Sequence, residues 1–183
     1  IEGCVINHQE PCHGEIRATL LDENQVIAQH TTSAYFHDQN TFRLCLNVAN
    51  PHLWMGTDDP HLHQLSIELC TDKKVIEHRS ISIGFRSIQI TPDQGLFLNG
   101  KHVKLRGVAR HQDFAGVGNA ISETQMEQDI QLIKELGANS VRLSHYQHDD
   151  YFYRRCDEEG LLVWAEVPFI SCLLYTSDAA DDS

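Results

Sequence analysis

Polar and aromatic side chains gather at three points in the second half of this chain. Each group ends or directly follows a short apolar run, and together the groups contain Arg110, His111, Asp113, Arg142, His145, Trp164 and Glu166. Imidazole and guanidinium groups hydrogen-bond hydroxyls and carboxylates, and a carboxylate can serve in acid–base chemistry. We interpret this gathering of polar side chains as a candidate functional site.

The elements that carry these groups predict a parallel sheet. Strands are predicted over residues 103–108, 140–144 and 161–165, which lead into His111, His145 and Glu166 respectively. Helical patterns separate the strands, and apolar strands that alternate with helices are typical of parallel sheets. In a βα-barrel the cavity forms at the carboxyl ends of the strands. The three polar groups are therefore predicted to share one rim.

Capping and stop signals predict where the two helices between these strands begin and end. Ser122 and Gln125 match a capping box, and Gly137 supplies a left-handed stop. Asp149 or Asp150 caps the second helix, which ends at Gly160. The predicted buried faces of the two helices carry apolar residues at helical spacing, namely Met126, Ile130, Ile133, Phe152 and Cys156.

In the first half of the chain, apolar residues recur at every second position. Residues 15–20, 41–48 and 65–69 alternate between apolar and polar, and the last run turns at 71–74 and returns through 75–83. Short alternating strands between polar turns favour an antiparallel sandwich of immunoglobulin size. Residues 96–103 then predict a hairpin, with Asn99-Gly100 as its type I′ turn.

Composition excludes several classes of function. The formal charge is −12 with no basic stripe, which argues against nucleic acid as a partner. No apolar run approaches the about 20 residues that cross a bilayer, so no membrane partner is expected. The six cysteines lack zinc-ligand spacing and are predicted to be scattered, mostly buried thiols.

Several ordered segments resemble glycoside hydrolase family 2. The similar segments run through both halves, at residues 51–54, 60–65, 84–86, 97–101, 105–111, 139–146, 156–161 and 164–166. The resemblance implies an immunoglobulin-like antiparallel β-sandwich followed by the truncated N-terminal part of a (β/α)8 TIM barrel. We assign 1–88 to an N-terminally incomplete sandwich, 89–171 to the first βα units, and 172–183 to a non-native tail.

The resemblance also implies a retaining double displacement by two glutamates. Both lie on later barrel strands of the family, so no catalytic residue is assigned here, and the fragment is expected to be inactive alone. Glu166 is instead predicted to support the site, because Ala165 precedes it where the family's acid/base follows an Asn. Trp164 is placed beside Glu166 in the same supporting group.

The remaining rim residues receive substrate-binding roles from the resemblance. His111 and His145 are predicted to contact sugar hydroxyls. Arg142 is predicted to lie near the family's nucleophile and to keep it ionised. Arg110 and Asp113 remain open between scaffolding of the loop and contact with substrate.

Residues 110–113 and 145–147 resemble bacterial β-galactosidases most, which makes a terminal β-D-galactoside the expected substrate. A β-glucuronidase or β-mannosidase of the same family is an alternative, and a non-catalytic carbohydrate-binding sandwich is another. No cofactor or metal site is identified in this stretch. A full-length enzyme could bind Mg²⁺ or Na⁺ and could form a homo-oligomer. Its location is left open between the bacterial cytoplasm and the periplasm.

Three further features receive plain structural interpretations. His61 and His63 are alternate strand residues that could share a face, but they are interpreted as a solvated sandwich edge. Trp54 is predicted to pack in the core of the sandwich half. Residues 157–159, Asp-Glu-Glu, are predicted to form a solvated helix end.

Overall fold

The structure is a computed structural model that describes residues 1–8, 10–72 and 74–168. It divides into two compact units, one of residues 1–53 and 61–85 and the other of residues 54–60 and 86–168. The predicted non-native tail and Cys172 lie outside the described residues. In the part of the chain that is described, no helix is long and apolar enough to cross a membrane.

The first unit is an antiparallel β-sandwich, as predicted. Its strands are β1 (Glu2–Ile6), β2 (Cys12–Asp22), β3 (Gln25–Phe36), β4 (Gln39–Arg43), β5 (His63–Thr71) and β6 (Lys74–Ile83). One sheet has the order β3-β2-β5-β6, and β1 pairs with β4. The alternating apolar positions form one core, with Ile16, Ala18, Leu20, Phe36, Leu44 and Leu65 buried.

The strand predicted over residues 41–48 is shorter than its pattern. β4 ends at Arg43, which pairs with Glu2 at the start of β1. The next residue exchanges the last backbone hydrogen bonds with Ile1, at 2.8 Å in each direction. Beyond that point no partner strand remains in the described part of the unit, although Leu44 is buried and Leu46 and Val48 pack against the core. The alternation of apolar and polar residues over this segment therefore reflects burial of one face and not backbone pairing with a neighbouring strand.

The second unit joins a small antiparallel sheet to a parallel one. A 3-10 turn at Gly56–Asp58 precedes β7 (Ile88–Thr91), β8 (Gly95–Leu98) and β9 (Lys101–Val103), which pair in that order. Alternating strands and helices follow, namely β10 (Gly107–Arg110), α1 (Glu123–Glu135), β11 (Ser140–Leu143), α2 (Asp150–Glu158) and β12 (Leu162–Ala165). Their three strands are parallel and adjacent, in the order β10-β11-β12.

The predicted hairpin turn is confirmed, since Asn99 and Gly100 have φ angles of 50° and 77°. The strand predicted over 103–108 is wrong in its extent, because β9 ends at Val103 and β10 begins at Gly107. Asn139 explains the break. Its side chain accepts a hydrogen bond from the Arg106 amide at 2.8 Å and donates one to the Lys104 carbonyl at 3.0 Å, in place of a strand partner.

Both predicted helices and their caps are confirmed. The Ser122–Gln125 capping box is formed, and Asp149 accepts a hydrogen bond from the Tyr151 amide at 2.8 Å. Gly137 and Gly160 take φ angles of 68° and 74°, as left-handed stops require. The helices pack on one face of the parallel sheet, around a buried core of Met126, Ile130, Ile133, Ala138, Val141, Leu143, Phe152, Cys156 and Leu161.

Trp54 is buried as predicted, but in the second unit rather than in the sandwich. Its indole nitrogen donates to the Asp157 carbonyl at 2.8 Å, and the Arg86 guanidinium lies 4.5 Å above its ring. Arg86 also pairs with the Asp157 carboxylate at 3.2 Å. A buried indole requires a hydrogen-bond acceptor, and the end of α2 supplies it.

The solvated helix end predicted at residues 157–159 is also wrong. Glu159 pairs with Lys134 and with Arg155, the latter at 2.7 Å, and Arg155 binds Glu158 as well. These cations compensate for acidic residues that oppose the helix dipole. Arg155 further reaches Glu127 on α1 at 2.5 Å, so the cluster ties α2 to α1.

Two smaller expectations are corrected. Of the five described cysteines, which are all free thiols, Cys70 and Cys156 are buried, whereas Cys4 and Cys45 are exposed and Cys12 is half-buried. Burial raises the pKa of the Cys156 thiol to about 12. The solvated edge expected at His61 and His63 is wrong, because His63 is only 1% exposed.

Candidate active site

Strand register sets the two faces of the parallel sheet. Val141 and Leu143 of β11 point into the helix-packed core. Arg142 therefore points to the opposite face, in one row with Ala109 of β10 and Trp164 of β12. This second face lines an open groove of about 760 Å³, and Trp164 is 67% exposed on it. Away from the carboxyl ends of the strands this face is mainly apolar, and at those ends it is polar.

Glu166, the first residue after β12, is the centre of the polar rim. Its carboxylate accepts a hydrogen bond from Arg142 Nε at 2.6 Å and contacts His145 Nδ1 at 2.8 Å, through different oxygens. The hydrogen bond from Arg142, helped by that from His145, lowers the pKa of the Glu166 carboxyl and outweighs the opposing effect of burial. Glu166 is therefore held as an anion and is poorly suited to donate a proton.

The two predicted sugar-binding histidines lie together. The rings of His111 and His145 are edge to face, with centroids 5.3 Å apart. Because a carboxylate can only accept, His145 Nδ1 carries the proton in the contact with Glu166. In the neutral imidazole, Nε2 is then a lone-pair acceptor that can receive a hydrogen bond from a hydroxyl. The pair thus offers an oriented polar surface beside an anion.

Backbone and side-chain contacts link the loops that follow the three strands. Gln147 donates to the Glu166 carbonyl at 3.1 Å, which joins the loops after β11 and β12. The Gln112 amide donates to the Tyr146 hydroxyl at 3.1 Å, and Gln112 Oε1 accepts from the Asp149 amide at 2.6 Å. These bonds join the loops after β10 and β11. The rim is therefore a connected set rather than three independent chain ends.

Arg110 lies below this rim and is nearly fully buried. Its Nε donates to Asp129 on α1 at 2.8 Å, and its Nη1 contacts His148 Nδ1 at 2.8 Å. The guanidinium also stacks 3.9 Å above the Phe152 ring. Of the two roles that the sequence left open for Arg110, this geometry favours scaffolding.

Asp113 does not take part in the contacts that connect the rim. Asp113 is exposed in the loop that follows β10 and makes no hydrogen bond or ion pair with another described residue. Within the described ranges, no group of three His, Cys, Asp or Glu side chains at the rim is close enough to hold a metal ion. The rim as described is an arrangement of hydrogen-bond donors and acceptors.

Family models match both halves of the chain. Residues 6–86 match the model described as glycosyl hydrolases family 2, and residues 88–180 match that family's TIM barrel domain. The chain belongs to glycosyl hydrolase family 2. The sandwich and the βα units described above are thus the family's sandwich domain and the start of its barrel.

Relatives within family 2 carry two different activities in their names. A beta-glucuronidase of Bacteroides fragilis is 39% identical over 158 residues, which cover 85% of this chain and 23% of that protein. A beta-galactosidase of Thermoanaerobacter pseudethanolicus is 32% identical over 161 residues, covering 87% and 22%. The chain therefore spans about a fifth of the length of these curated relatives.

Solved structures agree with the family fold. The crystal structure of a Bacteroides uniformis beta-glucuronidase superposes with a TM-score of 0.87 at 31% identity, over 91% of this chain and 21% of that one. Since relatives named for both sugars match at similar identity, similarity places the chain in the family without selecting its sugar.

Sequence reasoning missed Asp129 and His148, the two side chains that hold Arg110 in this family 2 member. His148 contacts Arg110 through one ring nitrogen and donates to the Ser144 carbonyl at 3.0 Å through the other. One signal was present for Asp129. It stands between Met126 and Ile133 at the spacing of the apolar face of α1, where an acid requires a buried partner.

Proposed function

We propose that this chain supplies the sandwich and the first part of the sugar-binding wall of a retaining exo-β-glycosidase that removes terminal β-D-galactosyl groups. The observation that carries the proposal is the Glu166 carboxylate held by both Arg142 and His145. This group stands at the carboxyl ends of parallel strands, where barrel enzymes of this kind perform their chemistry.

The proposed reaction needs two carboxylates besides those in the described rim. One attacks the anomeric carbon while the other protonates the departing glycosidic oxygen, and water then releases the sugar from the enzyme. In this proposal both are glutamates on later barrel strands. Glu166 does not fill the acid role, because Arg142 and His145 keep it ionised.

The described residues would act on the sugar rather than on the breaking bond. His145 is oriented by Glu166, so its Nε2 faces away from that carboxylate and can accept from a sugar hydroxyl. His111 lies beside it. Hydrogen bonds that shorten as the ring flattens would lower the barrier selectively.

Arg142 has a second function in this proposal. Its Nε is committed to Glu166, while the side chain remains 48% exposed at the rim. The terminal guanidinium nitrogens can therefore donate to the attacking carboxylate and keep it ionised. Lys at this position would provide charge but not two fixed directions of donation.

The charge at the rim favours a neutral sugar. Arg110 is paired with Asp129 and Arg142 with Glu166, so both arginines already face a carboxylate. The whole chain carries −12. A glucuronide is the second candidate, because the Bacteroides fragilis and Bacteroides uniformis relatives are named beta-glucuronidases.

The test uses the full-length protein that contains this chain and compares aryl β-D-galactoside with aryl β-D-glucuronide. We expect the larger kcat/KM on the galactoside. Replacing His111 or His145 by Ala removes hydrogen bonds that strengthen in the transition state, and should lower kcat/KM on the order of 100-fold. The 183-residue chain alone should hydrolyse neither substrate.

The matched control is His102→Gln, an exposed histidine on β9 of the same unit. It should leave kcat/KM unchanged. A preference for the glucuronide would replace the galactoside assignment but keep the glycosidase proposal. Absence of hydrolysis on every aryl β-glycoside, or full activity in both histidine variants, would overturn the proposal.

A further inference from the structure

The sandwich contains a cluster of possible ligands that the glycosidase proposal does not use. The β2–β5 ladder ends at the pair Leu21–Gln64, so the next residues, Asp22 and His63, come opposite each other. His61 lies two residues before His63, and its ring nitrogen reaches the same Asp22 carboxylate. Asp22, His61 and His63 together form one cluster, which we name the β2–β5 triad.

The donor atoms of the β2–β5 triad converge. One from each residue lies within 4.8 Å of the others. His61 Nε2 is 2.7 Å from Asp22 Oδ1, and His63 Nε2 is 3.7 Å from Asp22 Oδ2. Tetrahedral zinc with bonds of about 2.0–2.1 Å holds its ligand atoms about 3.3 Å apart. The two observed separations lie on either side of that value.

His63 is the residue that requires an explanation. Its side chain is fully buried, yet neither ring nitrogen has a hydrogen-bond partner among the described residues. Buried imidazole nitrogens are normally satisfied, since an unpaired polar group in the interior destabilises the fold. The 3.7 Å separation from Asp22 is too long for a hydrogen bond, but it leaves room for an ion between the two atoms.

Neighbouring aromatic rings fix the position of the His63 imidazole. The rings of His61 and His52 stack at 3.8 Å, and Phe85 packs edge-on to His63 at 4.9 Å. The packed rings orient the imidazole nitrogens, as the surroundings of metal-ligating histidines do.

We propose that the β2–β5 triad is a binding site for Zn²⁺, with two imidazole nitrogens, one carboxylate oxygen and a water molecule as ligands. Nitrogen-rich sets of this kind suit zinc, whereas Mg²⁺ and Ca²⁺ prefer oxygen ligands. The ion would join the end of β2 to the start of β5 and satisfy His63. It is a structural site, independent of the glycosidase proposal.

The experiment titrates the 183-residue chain, freed of metal by a chelator, with Zn²⁺ and in parallel with Co²⁺. The proteins are the unaltered chain, Asp22→Asn, His61→Gln, His63→Gln and the control His78→Gln, an exposed histidine on β6 of the same sheet. X-ray absorption at the zinc edge reports ligand type. The visible spectrum of Co²⁺ separates imidazole from thiolate ligands, because only thiolates add charge-transfer bands.

We expect one zinc ion bound per chain by nitrogen and oxygen ligands, and at least about a 100-fold loss of affinity in each triad variant but not in His78→Gln. If His63→Gln fails to fold, His61→Gln decides, because it leaves the buried ring in place. Unchanged affinity in His61→Gln and Asp22→Asn, a sulfur-dominated spectrum, or no binding would overturn the proposal.

Discussion

His148 in the barrel unit and His63 in the sandwich are both buried histidines, and burial lowers the pKa of each. They differ in what completes their hydrogen bonding. His148 contacts Arg110 through Nδ1 and the Ser144 carbonyl through Nε2, whereas neither nitrogen of His63 has a partner among the described residues. One buried ring is satisfied by the chain itself, and the other is arranged for a ligand from outside. Burial alone thus does not reveal the role of a histidine.

The largest effect should come from removing the cation that completes the His148 network. Arg110→Ala leaves Asp129 and His148 without their shared partner and deletes the stacking on Phe152. Breaking a buried ion pair from one side costs several kcal/mol, so we expect the free energy of unfolding to fall by about 3 kcal/mol. Urea unfolding of the 183-residue chain measures it.

Arg154→Ala is the matched control, since Arg154 is half-exposed, makes an i,i+4 pair with Glu158 at 4.0 Å and lies 5.0 Å from the Tyr151 ring at the surface. Its removal should change stability by less than about 0.5 kcal/mol. Equal effects of the two arginine variants would show that the His148 network is not the scaffold that its geometry describes.

The two histidines can be compared directly by replacing each with Leu in metal-free protein. His148→Leu strands the Arg110 guanidinium and the Ser144 carbonyl, so we expect a loss of about 2 kcal/mol. His63→Leu strands no described hydrogen-bond partner and removes an unsatisfied group, so stability should change by less than about 0.5 kcal/mol or rise. A loss of similar size at both positions in urea unfolding would remove the distinction.

The pH dependence of stability sharpens the same comparison. A histidine whose pKa is lowered on folding stabilises the fold fully above its unfolded value of about 6.5, and this contribution is lost as the pH falls through the folded pKa. His63 faces Asp22, His61 and His52, and His148 faces Arg110 and His111. Each histidine can lower the free energy of unfolding by up to about 1.4 kcal/mol for each unit by which the pH falls in this range.

We therefore expect His63→Leu and His148→Leu each to flatten the fall in stability between about pH 6.5 and pH 5. Urea unfolding at stepped pH, with a chelator present, measures the slopes. His78→Gln serves again as the exposed control and should retain the slope of the unaltered chain. Unaltered slopes in both buried variants would contradict the neutral state assigned to these rings.

The sequence predicted what depends on neighbouring residues. The capping box at Ser122, the turn at Asn99-Gly100 and the stops at Gly137 and Gly160 involve residues within a few positions of each other, and all are present. The closeness of His111 and His145 was also predictable, because parallel strands end on one edge.

Contacts between distant residues were not predictable in the same way. Asp22 and His63 meet through a ladder that joins positions about forty residues apart, and β2 carries an irregularity in its pairing with β3 at Leu20/Leu21. A one-residue slip would send Asp22 to the other face. The sequence spacing therefore indicated that His61 and His63 could share a face, but not the carboxylate that completes the β2–β5 triad.

The smallest stability effect should come from the rim, although its effect on activity should be large. Glu166→Gln removes a carboxylate that pairs with a half-exposed Arg142 and with His145, and such pairs stabilise a fold by less than about 1 kcal/mol. The same change frees His145 to rotate and leaves Arg142 without its anion. In the full-length enzyme we expect kcat/KM on aryl galactoside to fall at least about 10-fold, with urea unfolding of the chain almost unchanged. Normal activity together with a marked loss of stability in the Glu166→Gln variant would reverse this assignment, because the rim would then be scaffold in the way that Arg110 is.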